Sequence, residues 1–161
     1  MSKRAMELAG RLEKGARELE AFAKGLTDAQ WKTVVAPDGR QVGVIIHHVA
    51  SMYPIEVHVA SEVASGHPIE GLTWGVVADM NAKHAAEQGA VTKADALELL
   101  RKNAETAQEV VRAFTDEQLD RAVPVSLYGG APLTTQFIIE DHALRHSWHH
   151  LAKISAALKV A

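Results

Sequence analysis

Apolar residues recur at intervals of three and four along much of this chain, and this spacing constrains its fold more than any other feature. In residues 3–24 the apolar positions are Ala5, Leu8, Leu12, Ala16, Leu19 and Ala23. In residues 92–114 they are Leu97, Leu100, Ala104, Ala107, Val111 and Phe114. A period near 3.6 residues places such side chains on one face of an α-helix. The pattern therefore predicts amphipathic helices that pack against a shared core.

The rest of the chain also has mainly helical patterns. Further helices are predicted at residues 41–64, 73–88 and from about 134 to 158. Thr134 or Thr135 is the expected N-cap of the last helix, and short capped turns are expected after Thr27 and Thr115. Residues 124–133, PVSLYGGAPL, predict either a hairpin or a loop. We therefore expect an all-α fold with short accessory helices.

Length and charge restrict the organisation of the chain and its partners. At 161 residues, the default is a single domain spanning residues 1–161. The net charge is −3 and the basic residues are scattered, so nucleic acid is not an expected partner. No segment has the roughly 20 apolar residues of a membrane span, and the N-terminus lacks the apolar region of a signal peptide. We expect a cytoplasmic protein that does not bind membranes.

Histidine is unusually frequent, with nine in the chain and no cysteine. Without thiolates, a bound metal would rely on imidazole, carboxylate and water. His142, His146 and His150 recur every four residues and so share one face of the last helix. Two imidazoles one turn apart can converge on one ion, at about 2.0–2.1 Å from each nitrogen. This spacing favours a divalent-metal site.

The helix at residues 41–64 offers another imidazole. One stripe of this helix carries Val44, His48, Met52, Ile55 and Val59, and we expect it to face the bundle interior. His47 lies about a quarter-turn away from this stripe. We therefore predict His48, His146 and His150 as metal ligands. Three ligands leave coordination positions open for water or substrate, as in catalytic rather than structural sites.

Each of these histidines also has a simpler interpretation. A histidine on an apolar stripe is more often a hydrogen-bonded core residue than a metal ligand. Asn81 and His84, in the helix at residues 73–88, and His142 are candidates to position substrate at the mouth of the site. His84 could equally be a surface residue on a polar helix face.

Two acidic residues precede the histidine cluster of the last helix. Glu140 or Asp141 could orient His142 or a metal ligand by accepting a hydrogen bond, or both could be ordinary solvated acids. The spacing does not assign roles to His47, His142 or His149.

The two histidine segments resemble those of the DinB-like (DinB/YfiT-type) superfamily of four-helix-bundle metalloproteins. That family places one histidine before a small apolar pair in the second helix, here His48 in VGVIIHHVAS. Its His-x-x-x-His pair in the last helix corresponds to His146 and His150 in HSWHHLAKI. The resemblance covers nearly the whole chain. It implies a four-helix bundle with a crossover connection, Zn²⁺ or Ni²⁺ held by the three histidines at one end, and frequent homodimers.

The resemblance also implies an activity. Characterised relatives are metal-dependent thiol transferases that use low-molecular-weight thiols such as bacillithiol or mycothiol, and maleylpyruvate isomerases are among them. Where the family commonly has His-Arg-Gly-Gln, this chain reads His-Leu-Ala-Lys from His150, so contacts made by that Arg and Gln are not implied here.

Our leading hypothesis is a thiol S-transferase in which the metal activates a thiol or water to attack a small-molecule substrate. Two alternatives stay open. One is a non-catalytic metal-binding stress or binding module that forms a helical dimer. The other is a metal-dependent hydrolase of a small ester or amide.

Overall fold

The computed structural model describes residues 2–159, and helices dominate this part of the chain. In chain order the elements are α1 (Lys3–Lys24), α2 (Asp28–Trp31), α3 (Val42–Ser65), α4 (Trp74–Glu87), α5 (Lys93–Ala113), α6 (Asp116–Asp120), β1 (Ala122–Val125), β2 (Ala131–Thr134), α7 (Thr135–Ile138) and α8 (Arg145–Leu158). A π-helical segment, Ile139–Leu144, joins α7 to α8, so these three stretches form one last helix. The predicted all-α class is confirmed.

Hydroxyl caps begin most of these helices, as the sequence indicates. The side chains that accept a hydrogen bond from a backbone N–H of the first turn are Ser2, Thr27, Thr73, Thr92, Thr115 and Thr134. Each cap satisfies one of the N–H groups that the start of a helix leaves without a partner. Thr134, one of the two predicted caps, begins the last helix.

The segment that predicted a hairpin or a loop forms a two-stranded hairpin. Strand β1 pairs antiparallel with β2, with Val123 opposite Leu133. A 3₁₀ turn at Ser126–Tyr128 and the left-handed Gly129 and Gly130 reverse the chain. Both glycines have positive φ, which residues with a Cβ rarely adopt. The hairpin places Tyr128 beside the last helix, where it contributes to the site described below.

Four helical stretches form the bundle: α1, α3, α5 and the last helix. Helix α5 packs against both α1 and α3, and the last helix also packs against both. Helices α1 and α3 therefore occupy opposite corners, and the connection between them crosses one end of the bundle. This is the predicted four-helix bundle with a crossover connection. Within residues 2–159, none of the helices combines the length and apolar character that a bilayer crossing requires.

A proline in α3 removes one backbone hydrogen bond, and a neighbouring helix replaces it. Pro54 has no N–H to donate to the carbonyl of Ala50 one turn earlier. The side-chain amide of Asn103 on α5 donates to that carbonyl at 2.9 Å. Because Ala50 is fully buried, water has little access to the same carbonyl. The amide therefore ties α5 to α3 in the middle of the bundle.

Replacement of this amide should destabilise the fold. We expect Asn103→Ala to lower the free energy of unfolding by about 1–3 kcal/mol, the usual cost of a buried polar group left without a partner. Urea denaturation measures the change. In a Pro54→Ala background the backbone N–H of residue 54 can serve the carbonyl, so the same substitution should cost clearly less. Equal costs in the two backgrounds would show that the amide stabilises the bundle in some other way.

Candidate metal centre

Helices α3 and α8 bring three imidazoles together at one point. His48 lies on α3, and His146 and His150 lie one turn apart on α8. One ring nitrogen from each lies within 4.8 Å of one from each of the others. The ring centroids are 4.9 Å apart for His48–His146, 5.6 Å for His48–His150 and 4.9 Å for His146–His150. The side chains predicted as ligands are therefore close enough to share one ion.

Burial keeps two of these rings neutral. It lowers the pKa of His48 from 6.5 to about 2, and the neighbouring His146 lowers it further. Burial followed by the proximity of His146 also lowers the pKa of His150 to about 2. A neutral imidazole has a free lone pair on one nitrogen, which metal binding requires.

Glu56 orients the third ring and was missed in the sequence analysis. Its Oε1 lies 2.6 Å from His146 Nδ1, and the residue is only 6% exposed. Because a carboxylate accepts hydrogen bonds, Nδ1 is the donor in this contact, and Nε2 is the nitrogen of His146 that is left to face a metal. The available signal was an acidic residue within a long apolar helix, since such a residue is rarely buried without a partner.

The acids proposed for this orienting role are engaged elsewhere. Glu140 forms an ion pair with Arg11 at 2.6 Å. Asp141 accepts from the hydroxyl of Tyr128 and lies 3.4 Å from Arg145. Asp141 Oδ2 also lies 4.0 Å from Nε2 of His142, and both groups contact the hydroxyl of Tyr128, so Asp141 stays a candidate to orient that ring. Among the described residues no hydrogen bond joins either acid to His146. They precede His146 by six and five residues, which in a helix does not place them against its ring.

The donor set fits a divalent ion. In the described part of the chain, Nδ1 of His150 and Oε2 of Glu56 are buried without a hydrogen-bond partner. A buried polar atom without a partner costs free energy, so such groups are usually satisfied by hydrogen bonds, water or a metal. Imidazole ligands suit several first-row divalent metals.

A buried hydrogen bond fixes the register of α3 against α8 at this centre. The hydroxyl of Tyr53 lies 2.5 Å from that of Ser147, and both residues are almost fully buried. Tyr53 lies on α3 between His48 and Glu56, and Ser147 follows His146 directly. The bond therefore holds the two helices that carry the three imidazoles at a fixed relative height, which pre-organises the imidazoles.

The three imidazoles open onto a cavity of about 370 Å³. Its apolar wall includes Met52, Ile55, Val59, Leu72, Trp74 and Val77. The prediction that the stripe containing His48 faces the bundle interior is wrong for Ile55, which is 41% exposed. The core of α3 is instead formed by residues such as Ile45, Val49 and Tyr53. His48, Met52, Ile55 and Val59 of the stripe line the cavity instead.

His142 lines the cavity but does not join the three clustered imidazoles. Its Nε2 lies 3.1 Å from the hydroxyl of Tyr128, and burial lowers its pKa. His142 belongs to the π-helical segment, in which hydrogen bonds span five residues instead of four. The wider turn shifts His142 away from the stripe that continues through His146 and His150.

The remaining polar candidates separate into two groups. Asn81 lines the cavity, and so does the exposed His149. His84 is not among the described residues that line it, and its Nε2 lies 2.8 Å from Nδ1 of His47. Burial is the main cause of the lowered pKa of both His47 and His84. These two rings form a stacked pair beside His48.

Comparison with known proteins agrees with a helical bundle of this type. Residues 11–154 match the family model of the DinB superfamily, and the chain belongs to this superfamily. Among solved structures it is similar to YfiT from Bacillus subtilis, described as a probable metal-dependent hydrolase with an unusual four-helix bundle topology. That likeness has a TM-score of 0.77 at 18% identity and covers 100% of this chain and 91% of YfiT. No curated protein matches the sequence.

Proposed function

We propose that this protein is a metal-dependent enzyme acting on a small molecule, with His48, His146 and His150 as ligands of one divalent ion, Zn²⁺ or Ni²⁺. The observation that carries the proposal is the position of the three imidazoles in the wall of a cavity. A structural metal site is closed by four protein ligands, whereas a catalytic site keeps a position open to substrate. Three imidazoles beside a cavity of 370 Å³ fit the second description.

The surrounding residues have separate tasks in this proposal. Glu56 holds the ring of His146 in one orientation through its 2.6 Å hydrogen bond. Apolar side chains of α3 and α4 exclude water from the substrate. Asn81 and His142, which both line the cavity, are positioned to contact substrate. His84 is paired with His47, so its role is better described as supporting that pair than as contacting substrate.

Two reactions fit this site. A bound divalent ion would act as a Lewis acid and lower the pKa of a bound water or thiol towards neutrality. Hydrolysis of a small ester or amide is supported by the description of YfiT as a probable metal-dependent hydrolase. Transfer of a low-molecular-weight thiol is supported by the resemblance of the histidine segments to those of the DinB-like superfamily, whose characterised members include thiol transferases.

A paired activity screen distinguishes these reactions. Protein purified without a nickel column and analysed for its metal content is assayed with p-nitrophenyl esters. In parallel it is assayed with chlorodinitrobenzene plus a panel of thiols, including bacillithiol and mycothiol. We expect one panel to give turnover that disappears in His150→Ala and persists in His58→Ala, because His58 is exposed on α3. Turnover that survives in His150→Ala would contradict the assignment.

The non-catalytic alternative predicts a different response to metal removal. A structural ion contributes folding free energy, so a chelator should lower the melting temperature strongly. For an open catalytic site we expect a small decrease, because the buried core extends well beyond the histidines. Light scattering on the same samples tests the homodimer that the family resemblance implies.

A further inference from the structure

The loop before α3 presents an arginine to the cavity in a fixed orientation. Arg40 Nε and Nη2 donate to the two carboxylate oxygens of Asp38 at 2.6 and 2.9 Å. The backbone N–H of Val35 donates to the carbonyl of Arg40 at 2.9 Å, which closes the loop. The side chains of Arg40 and Asp38 are only 15% and 8% exposed. The guanidinium is therefore held in place before any ligand arrives.

One edge of this guanidinium has no acceptor. Asp38 occupies the edge formed by Nε and Nη2, which leaves Nη1 and one hydrogen of Nη2. Nη1 is buried, and no acceptor for it occurs within residues 2–159. A buried charged donor without an acceptor is costly, so its retention calls for an explanation. Arg40 lines the same cavity as the three histidines, which makes a ligand in that cavity the candidate acceptor.

The ionisable groups around the cavity, apart from the histidines, are three bases and three acids. Arg145 and Lys153 line the cavity together with Arg40. The acids that line it already have partners: Asp38 binds Arg40, Glu56 binds His146, and Asp141 accepts from Tyr128 and lies 3.4 Å from Arg145. Lys153 has no ion-pair partner among the residues that the structure describes, and Arg40 keeps donors that Asp38 does not use.

We propose that Arg40 binds a carboxylate of the substrate through its free Nη1–Nη2 edge, while the apolar body of the substrate lies against Met52, Ile55 and Val77. A planar carboxylate matches two parallel N–H groups of a guanidinium, a geometry that a lysine cannot reproduce. The inference rests on the proposed function, because it takes this cavity to be the substrate site. It narrows the substrate class to small apolar carboxylates.

Benzoate and benzamide test this proposal, because they have the same shape and differ in charge. Their affinities are measured by calorimetry on the full chain as purified and again after treatment with a chelator. We expect the wild type to prefer benzoate by roughly ten- to hundred-fold, in the range of hydrogen bonds to charged groups. The preference should persist after chelation, because Arg40 and not the ion provides it. Arg40→Gln should bind the two probes almost equally.

Two further variants keep the test decisive. Arg112→Gln removes the same charge from the outer groove between α1 and α5 and should keep the preference. Arg40→Gln could unfold because it leaves Asp38 buried without its partner. In that case the double variant Asp38→Asn/Arg40→Gln, which removes both charges, is used in place of the single variant. A wild type that binds neither probe or both alike would overturn the proposal, and so would an Arg40→Gln protein that keeps the preference.

The outcome is independent of the metal proposal. Binding of benzoate is read without turnover, so a protein that holds no ion and catalyses neither reaction can still show the preference that depends on Arg40. Conversely, the protein could bind one ion and turn over a neutral ester but show no preference for benzoate. The proposed function would then stand, and the carboxylate proposal would be wrong.

Discussion

His146→Ala is expected to abolish stoichiometric metal binding. The substitution removes one of three imidazoles whose nitrogens lie within 4.8 Å of one another. Loss of an outer hydrogen-bond partner of a ligand already costs about 10- to 100-fold in metal affinity, and loss of a ligand should cost more. Elemental analysis of protein purified without added metal measures the occupancy. Full occupancy in this variant would remove His146 from the ligand set.

Two controls separate loss of a ligand from loss of structure. His58→Ala changes an exposed histidine on α3 and should leave the metal content unchanged. His146→Ala also deprives the buried Glu56 of its partner, which destabilises the fold by itself. His150→Ala avoids this difficulty, because Nδ1 of His150 has no hydrogen-bond partner among the residues that the structure describes. Both His146→Ala and His150→Ala should lose the ion, while their circular dichroism spectra should remain those of a helical protein.

Glu56→Gln is expected to lower metal affinity by about 10- to 100-fold without changing the number of ions bound at saturation. The amide keeps the size of the side chain and can still accept from Nδ1 of His146. It no longer carries the negative charge that makes the imidazole a stronger ligand. Competition with a chromophoric chelator measures the change.

The matched control for this variant lies on the same helix. Glu62 on α3 is partly exposed, lies 3.0 Å from the exposed His67, and is remote from the three imidazoles. Glu62→Gln should therefore have the affinity of the wild type. If the two glutamine variants bind metal equally well, the 2.6 Å contact between Glu56 and His146 contributes to the fold alone.

Local periodicity predicted most of the fold. The three- and four-residue spacing in α1 and α5 identified helices whose apolar positions are buried as expected, for example Leu12 and Leu100. Cap residues such as Thr92 and Thr134 marked where helices begin, because their hydroxyls serve the first backbone N–H groups. These features depend on neighbours within one or two turns, so they can be read directly from the chain.

The candidate site was predictable only in part. His146 and His150 are one helical turn apart, so their proximity follows from the sequence. The orienting role of Glu56 does not follow from the sequence, because 90 residues separate it from His146. The π-helical segment also had no recognisable signal, and its wider turn separates His142 from the face that His146 and His150 share. Likewise, nothing in the local pattern indicated that His84 pairs with His47.

By itself, then, the sequence determined the helices, their caps and the set of histidines that can face one another. The tertiary structure decided which acid reaches His146, which side of α3 opens onto a cavity, and how Asp38 leaves one edge of Arg40 without an acceptor. The physical reason is that periodicity specifies the face of a helix on which a residue lies. The distance between residues on different helices depends on packing, through contacts such as that between Tyr53 and Ser147.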